Sequence, residues 1–197
     1  MPPPEYAGIF AETVFGGTSV LEKSIFMAIA SVCVFTVSSE AQACAEPKTL
    51  SLSAIGSIEL GSSIKSLTPR FKLKTEQYAS DGDDYLRHEI DVCPDVIVIA
   101  ATALDSPAID RIETISNYFV TAKGAKVGMT VAELRRLYPR GETYTGAEEG
   151  WHASFSTNDG VYFELHKASI PRDCFETNRN CETVINGVKA IRAYIQK

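Results

Sequence analysis

The chain has 197 residues, of which 45% are hydrophobic, 25 are acidic and 19 are Lys or Arg, and its net charge is −6. This apolar content is enough for one compact domain or for two small ones that share a core. The basic residues form no stripe along the sequence, so a nucleic-acid partner is not expected. The surplus of acid mainly favours solubility.

Residues 1–43 are predicted to be a secretory signal peptide rather than part of the fold. Lys23 precedes an apolar run over 25–37, and the small residues of Ala41-Gln42-Ala43 follow it. The run is too short to span a bilayer comfortably, and this order of segments is typical of exported proteins. The first nineteen residues contain no Lys or Arg, and we expect them to be an extension upstream of the true start. The predicted location is the periplasm or the extracellular medium.

The cysteines also indicate export. Of the five, Cys33 lies in the predicted signal, and Cys44, Cys93, Cys174 and Cys181 remain. An even number in an exported chain predicts two disulfides. Cys174 and Cys181 are the expected pair because they are close in sequence, which leaves Cys44 for Cys93. Cys44 also directly follows the predicted cleavage site, so lipidation, which would anchor the protein to the outer membrane, stays open as an alternative.

Two stretches of the chain have nearly the same pattern. Leu60-Gly61-Ser62-Ser63 is matched 67 residues later by Val127-Gly128-Met129-Thr130. Such self-similarity predicts a repeated architecture. In each copy we expect a short strand that ends at the glycine and a helix capped by Ser63 or Thr130, the second with Glu133 as a capping box. The prediction is two degenerate repeats, 44–116 and 117–197, packed as one globular unit.

Strands are expected after each helix. Asn158-Asp159-Gly160 is typical of a hairpin turn, and the residues after it alternate, with Val161, Phe163 and Leu165 inward. The segment 96–99 does not alternate, so we expect it to be covered on both faces. The predicted fold class is α+β, in which each repeat is a short helix plus a three- to four-stranded antiparallel meander.

The copies differ just before the last strand. The offset between them grows from 65 residues at the central strand to 76 at the closing strand, which places an insertion around Cys174 and Cys181. A long polar loop is costly to order, and a local disulfide would restrain it.

Two segments resemble a known family. The pattern that carries the resemblance is Ile109-Asp110-Arg111-Ile112-Glu113, followed by Ala125-Lys126-Val127-Gly128-Met129-Thr130-Val131 and Leu134. It is similar to the RpoE-regulated lipoprotein family. The resemblance extends over 50–195 and implies a small envelope protein of Gram-negative bacteria, with no catalytic residues to carry over. The family has a proper lipobox, whereas this chain has Ala-Gln-Ala-Cys. The Gly-x-[Ser/Thr]-x-x-x-Leu pattern also gives a weaker likeness to the duplicated β-lactamase-inhibitor-protein-like modules.

Binding residues are expected on the second hairpin and on the loops 145–151 and 172–182. Rigid scaffolds commonly present their interaction sites on such loops, and the only tryptophan lies on one of them. The candidates are Trp151, His152, Tyr162, Glu164, His166, Arg172 and Arg179. The plain alternatives are core packing for Trp151 and a solvated strand face for His166. We expect His88 to lie at the surface or on an edge strand, because its acidic neighbours point to the other face and cannot converge with it on a metal.

No Ser-His-Asp order, nucleophile elbow or phosphate-binding glycine loop occurs. We therefore expect no enzyme, no cofactor and no metal. The predicted function is a non-enzymatic protein-binding module of the cell envelope, with an envelope protein as its partner. Two alternatives stay open: a carrier of a small ligand or ion in the cleft between the repeats, and a lipid-anchored structural protein of envelope stress. Membrane contact is expected only if Cys44 is lipidated.

Overall fold

The computed structural model describes residues 44–80, 83–146, 151–176 and 181–197, and the predicted signal peptide lies outside this part of the chain. The strands are β1 (Ala54–Ile55), β2 (Ile58–Glu59), β3 (Lys72–Ser80), β4 (Asp83–Cys93), β5 (Val96–Ala103), β6 (Ile109–Thr114), β7 (Glu142–Gly146), β8 (His152–Ser156), β9 (Tyr162–Leu165) and β10 (Ala190–Gln196). Eight of them form one sheet in the order β3-β4-β5-β6-β10-β9-β8-β7, and β1 and β2 form a separate small hairpin.

The large sheet consists of two four-stranded meanders that meet at their last strands. β3 to β6 pair in chain order in one half, and β7 to β10 do so in the other. In the centre β6 and β10 pair antiparallel, with Ile112 opposite Ile195 and Glu113 opposite Tyr194. β3 and β7 form the two edges. Backbone hydrogen bonds therefore join the two halves into one continuous sheet.

The predicted α+β class is wrong, because strands dominate the described chain. The helices are short: α1 (Val131–Leu137), α2 (Asp173–Glu176) and α3 (Glu182–Asn186). The helix expected in the first half is only a 3-10 turn, Ile64–Ser66, where Ser63 makes no side-chain cap hydrogen bond. Pro69 follows at once, and the residue before a proline is pushed out of the helical region. The capping box predicted for Thr130 and Glu133 is confirmed at the start of α1.

The hairpin predicted in the second half is confirmed. β8 and β9 pair antiparallel with Phe155 opposite Phe163, and Asn158 and Gly160 have φ values of 61° and 82° in the turn. Asn and Gly adopt positive φ at the least steric cost, which is why this sequence turns here. Phe163 and Leu165 point inward, as predicted, and are buried.

Alternate residues of the sheet form the inner face, which belongs to one buried cluster. The small β1–β2 hairpin adds Ile55 and Ile58 to it, and α1 adds Leu134. The sheet contributes Ile90, Val98, Ala100, Ile112, Ala153, Phe155, Phe163, Leu165, Ala193 and Ile195. Burying one large apolar side chain contributes about 1.5–3 kcal/mol, so this face stabilises the fold. The prediction that 96–99 is covered on both faces is confirmed only in part, because Ile99 on the opposite side is also buried but Ile97 is 36% exposed.

Both predicted cysteine pairs are confirmed. The Cα atoms of Cys44 and Cys93 are 5.4 Å apart, and those of Cys174 and Cys181 are 5.8 Å apart. Such separations suit disulfides. Cys174–Cys181 lies in the long connection between β9 and β10, where the insertion was expected. Within the described ranges, no helix has the length and apolar character needed to cross a membrane.

Candidate functional site

The predicted binding residues are divided between two places. Tyr162 and Glu164 lie on β9 and point away from the core. Trp151 and Arg172 lie together in a pocket beside α2. We describe the sheet surface first and the pocket second.

The sheet surface opposite the core is here called the outer face. Residues directly opposite each other on paired strands point to the same side of a sheet, so the strand registers define this face. Its side chains are Lys74, Glu76, Tyr78, Tyr85, Arg87, Glu89, Ile97, Ile99, Ala101, Ala103, Arg111, Glu113, Glu142, Tyr144, His152, Ser154, Ser156, Tyr162, Glu164, Arg192, Tyr194 and Gln196.

Ion pairs cross the centre of the outer face at the junction of the two halves. Arg192 Nη1 lies 3.1 Å from Glu113 Oε2 on β6 and 3.2 Å from Glu164 Oε2 on β9. Arg111 Nε lies 3.0 Å from Glu113 Oε1. Glu113 therefore lies between two arginines and is the least exposed of these charged side chains, at 15%. The strand register produces this arrangement. Arg111 and Glu113 of β6 point to the same side of the sheet as Arg192 of β10, because alternate residues of a strand share one side.

Aromatic rings adjoin this charged cluster. Tyr162 and Tyr194 lie opposite each other on β9 and β10 and stack with their ring centroids 5.1 Å apart. The guanidinium of Arg111 lies 4.3 Å from the centroid of the Tyr194 ring. Burial is the main cause that raises the pKa of Tyr194 above its ordinary value, so its hydroxyl stays protonated at neutral pH. The face thus offers stacked rings next to fixed charges.

The pocket beside α2 includes residues of both loops on which binding residues were expected, together with the segment 167–170, which was not expected. Its volume is about 420 Å³, and it is lined by Trp151, Lys167, Ala168, Ile170, Arg172 and Phe175. The Trp151 and Phe175 rings meet edge to face with centroids 5.2 Å apart, and the guanidinium of Arg172 lies 4.8 Å from the Trp151 centroid. The sequence named Trp151 and Arg172 as separate candidates, and the fold brings them together. The alternative of simple core packing does not describe Trp151, which is half-buried and lines this pocket.

Of the other candidates, His152 belongs to the outer face, whereas His166 belongs to neither place. His152 is exposed at the start of β8, and His166 follows β9, with its Nδ1 2.7 Å from Ser169 Oγ. Arg179 lies outside the described residues.

His88 was expected at the surface, and that prediction is wrong: it is buried between Thr75 Oγ1 at 2.9 Å and Thr102 Oγ1 at 3.1 Å. In the described part of the chain, no three His, Cys, Asp or Glu side chains are grouped as a metal site requires.

A solved structure shares this fold. It is the crystal structure of the uncharacterized protein yfeY from Escherichia coli, with a TM-score of 0.55 and 11% sequence identity. The similarity covers 76% of this chain and 99% of yfeY. At this identity the likeness to yfeY is one of fold alone. No family model matches the chain, and no curated protein matches it.

Sequence reasoning missed the partners of Tyr162 and Glu164. Arg192 and Tyr194 are two residues apart on β10, as Arg111 and Glu113 are on β6, so each pair points to one side of its strand. That alternation was visible in the sequence. The missing information was the pairing of β6 with β10 and of β10 with β9, which brings the four side chains together.

Proposed function

We propose that the chain is an exported, non-enzymatic protein that binds a protein partner through the outer face of its sheet. One observation carries the proposal. Five of the eight tyrosines of the chain belong to this face: Tyr78, Tyr85, Tyr144, Tyr162 and Tyr194. Tyrosine is enriched at protein interfaces because its rigid ring supplies apolar area while its hydroxyl forms hydrogen bonds.

The charges of the outer face favour a protein over a polyanion. Arginines and glutamates alternate across the centre, with Arg192 bridging Glu113 and Glu164. A nucleic acid or an anionic membrane surface would require a patch of one sign. A protein partner with interspersed charges matches this face better.

The ion pairs of the face contribute little to stability. Pairs between partly exposed side chains are typically worth about 0–1 kcal/mol, and Arg111 and Arg192 are about one-third exposed. The same pairs gain importance when a partner excludes water from them, because electrostatic complementarity governs specificity at interfaces. Their arrangement therefore supports recognition better than it supports fold stability.

The compartment and the family belong to the same proposal. Two cysteine pairs are compatible with a protein that folds outside the cytoplasm. Membership of the RpoE-regulated lipoprotein family is supported by the sequence resemblance, and the fold likeness to an E. coli protein is compatible with it. That the protein is not an enzyme rests on the catalytic motifs that its sequence lacks.

Site-specific photo-crosslinking in the periplasm tests the proposed face. A photoreactive residue replaces Tyr78 or Tyr144, which are 53% and 47% exposed on the outer face, near its two edges. Matched control positions are Leu52 and Val184, which are also exposed but lie outside that face. We expect both outer-face positions to give one and the same crosslinked protein, identified by mass spectrometry, and the controls to give none.

Binding to that purified partner completes the test. We expect the double variant Tyr144→Ala/Tyr162→Ala to weaken the affinity at least about tenfold, because interface tyrosines often contribute more than 1 kcal/mol each. Val184→Ala should leave the affinity unchanged. Crosslinks that form equally from Leu52 and Val184, or full affinity in the double variant, would refute the outer face as the binding surface.

The lipid-anchored alternative requires a free thiol at Cys44. A lipid is attached through the same sulfur that a disulfide uses, and Cys44 lies at disulfide distance from Cys93. Labelled palmitate on Cys44 in cells would support the anchored form. A Cys44–Cys93 peptide found by mass spectrometry without reduction would support the bridged form.

A further inference from the structure

We propose that the pocket beside α2 binds a small molecule with an apolar body and one anionic group. This inference concerns a different surface from the outer face and does not depend on a protein partner. The volume of about 420 Å³ lies within the range of small-molecule sites, which is roughly 300–1,000 Å³.

The walls of the pocket are apolar. Trp151 and Phe175 form an edge-to-face pair on one side, and Ile170 and Ala168 add aliphatic surface. Most small-molecule pockets combine such a lining with a few polar groups that fix the ligand's orientation. An aryl or short acyl group of a ligand would be desolvated against these four side chains.

The charged groups of the lining are both cationic. Arg172 and Lys167 line the pocket, and no acidic side chain is among the lining residues described. Arg172 Nε lies 2.8 Å from Glu176 Oε1, and the guanidinium lies over the face of Trp151. A ligand carboxylate would therefore meet a guanidinium that is already positioned by a carboxylate and by an aromatic ring. Arg172 and Lys167 of the described lining outnumber the Glu176 carboxylate that adjoins Arg172, and this charge pattern favours an anion over a cation.

The fold holds the pocket in shape. Trp151 has a φ of 66°, a left-handed conformation that is rare for a bulky residue and is often found where function constrains the backbone. On the other wall, Cys174 is paired with Cys181, and its carbonyl oxygen accepts a hydrogen bond from Thr145 Oγ1 at 3.3 Å. The hydrogen bond restrains α2 relative to β7, and the cysteine pair restrains α2 relative to the start of α3. A pre-formed pocket loses less conformational entropy on binding.

The pocket contains its own reporter, because Trp151 is the only tryptophan of the chain. Its fluorescence is titrated with three probes of equal chain length, octanoate, octan-1-ol and octylamine, and thermal shifts provide a second readout. We expect a saturable response to octanoate, binding of octan-1-ol about three- to fivefold weaker, and binding of octylamine weaker than that of octan-1-ol. The expected difference in affinity between octanoate and octan-1-ol is modest because Arg172 is 75% exposed, and exposed ion pairs contribute up to about 1 kcal/mol.

Two variants locate the binding. Arg172→Gln should weaken octanoate about three- to fivefold and leave octan-1-ol unchanged, whereas Arg136→Gln, an exposed arginine outside the pocket lining, should change neither. Ala168→Leu fills the pocket at an exposed position and should abolish the response while the melting temperature stays the same. Equal binding of octanoate and octylamine, an unchanged response in Ala168→Leu, or no saturable response to any probe would overturn the proposal.

Discussion

The two halves of the sheet share a strand order but fill the inner face with different chemistry. In the half made of β7 to β10, aromatic side chains fill it, with Phe155 opposite Phe163. In the half made of β3 to β6, a polar bridge crosses three strands, from Thr75 through His88 to Thr102. The comparison teaches that the same strand framework accommodates a hydrogen-bonded polar bridge among buried aliphatic side chains in one half and packed aromatic rings in the other.

The halves also differ in how they reach their last strand. Residues 104–108 join β5 to β6, whereas 166–189 join β9 to β10 and contain α2, α3 and a cysteine pair. The longer connection supplies Lys167, Ile170 and Arg172 to the pocket. The proposed ligand site therefore lies at the connection in which the two halves differ.

The largest expected effect concerns the aromatic half. Phe163→Ala should lower the free energy of unfolding by about 3–5 kcal/mol, because it removes a fully buried ring and leaves a cavity. Urea denaturation followed by circular dichroism measures it. Val184→Ala, at an exposed position, is the control and should change stability by less than about 0.5 kcal/mol. A loss below about 1 kcal/mol in Phe163→Ala would mean that this half does not depend on packed aromatic volume.

The next largest effect concerns the two cysteine pairs, which differ in the length of chain between their cysteines. Cys44 and Cys93 are separated by 49 residues and Cys174 and Cys181 by 7. In the chain-entropy model, removal of the first pair should cost about 4 kcal/mol and removal of the second roughly 2–3 kcal/mol. The variants are Cys44→Ala/Cys93→Ala and Cys174→Ala/Cys181→Ala, compared by denaturation. A larger loss from the second double variant would show that local restraint of the β9–β10 connection outweighs loop length.

The smallest expected effect concerns the polar half and depends on pH. Burial lowers the pKa of His88 below its ordinary value of 6.5, and no charged neighbour contributes to that shift. The unfolded chain therefore binds the proton at a higher pH than the folded protein does. His88 adds stability above about pH 6.5 that is lost as the pH falls further, by up to about 1.4 kcal/mol per pH unit.

His88→Gln checks this dependence, because Gln can donate and accept hydrogen bonds but does not titrate. Unfolding measured between pH 7.5 and pH 5 should show a flatter loss of stability in His88→Gln than in the wild type. His152→Gln replaces a histidine that is exposed on the outer face and should keep the wild-type profile. If the stability of the wild type and of His88→Gln fell in parallel with pH, His88 would be excluded as the source of the pH dependence.

Features set by neighbouring residues could be predicted from the sequence. The capping box at Thr130, the Asn158–Gly160 turn and the pairing of Cys174 with Cys181 each depend on a short segment, and each is confirmed. The same local information misassigned the fold class, because a helix cap does not reveal that the first helix shortens to a single 3-10 turn before Pro69.

Features set by strand pairing could not be predicted. His88 was placed at the surface because its acidic neighbours point to the other face, but its side chain is buried and contacts Thr75 on β3 and Thr102 on β5. The outer face was found only in part, since Tyr162 and Glu164 acquire Arg192 and Tyr194 across a connection of more than twenty residues. Which strands become neighbours is decided by the whole core and not by any one segment.

The position of β10 has a consequence for how the molecule assembles. β10 is the last strand in chain order, yet it lies in the middle of the sheet, between β6 and β9. Until β10 has paired, β6 and β9 each present an unpaired edge. Unpaired strand edges can pair with other chains. The two halves can each form early from local contacts, but the sheet closes only when the final strand inserts. Folding of the sheet is therefore expected to finish with the pairing of β10, one late, long-range step.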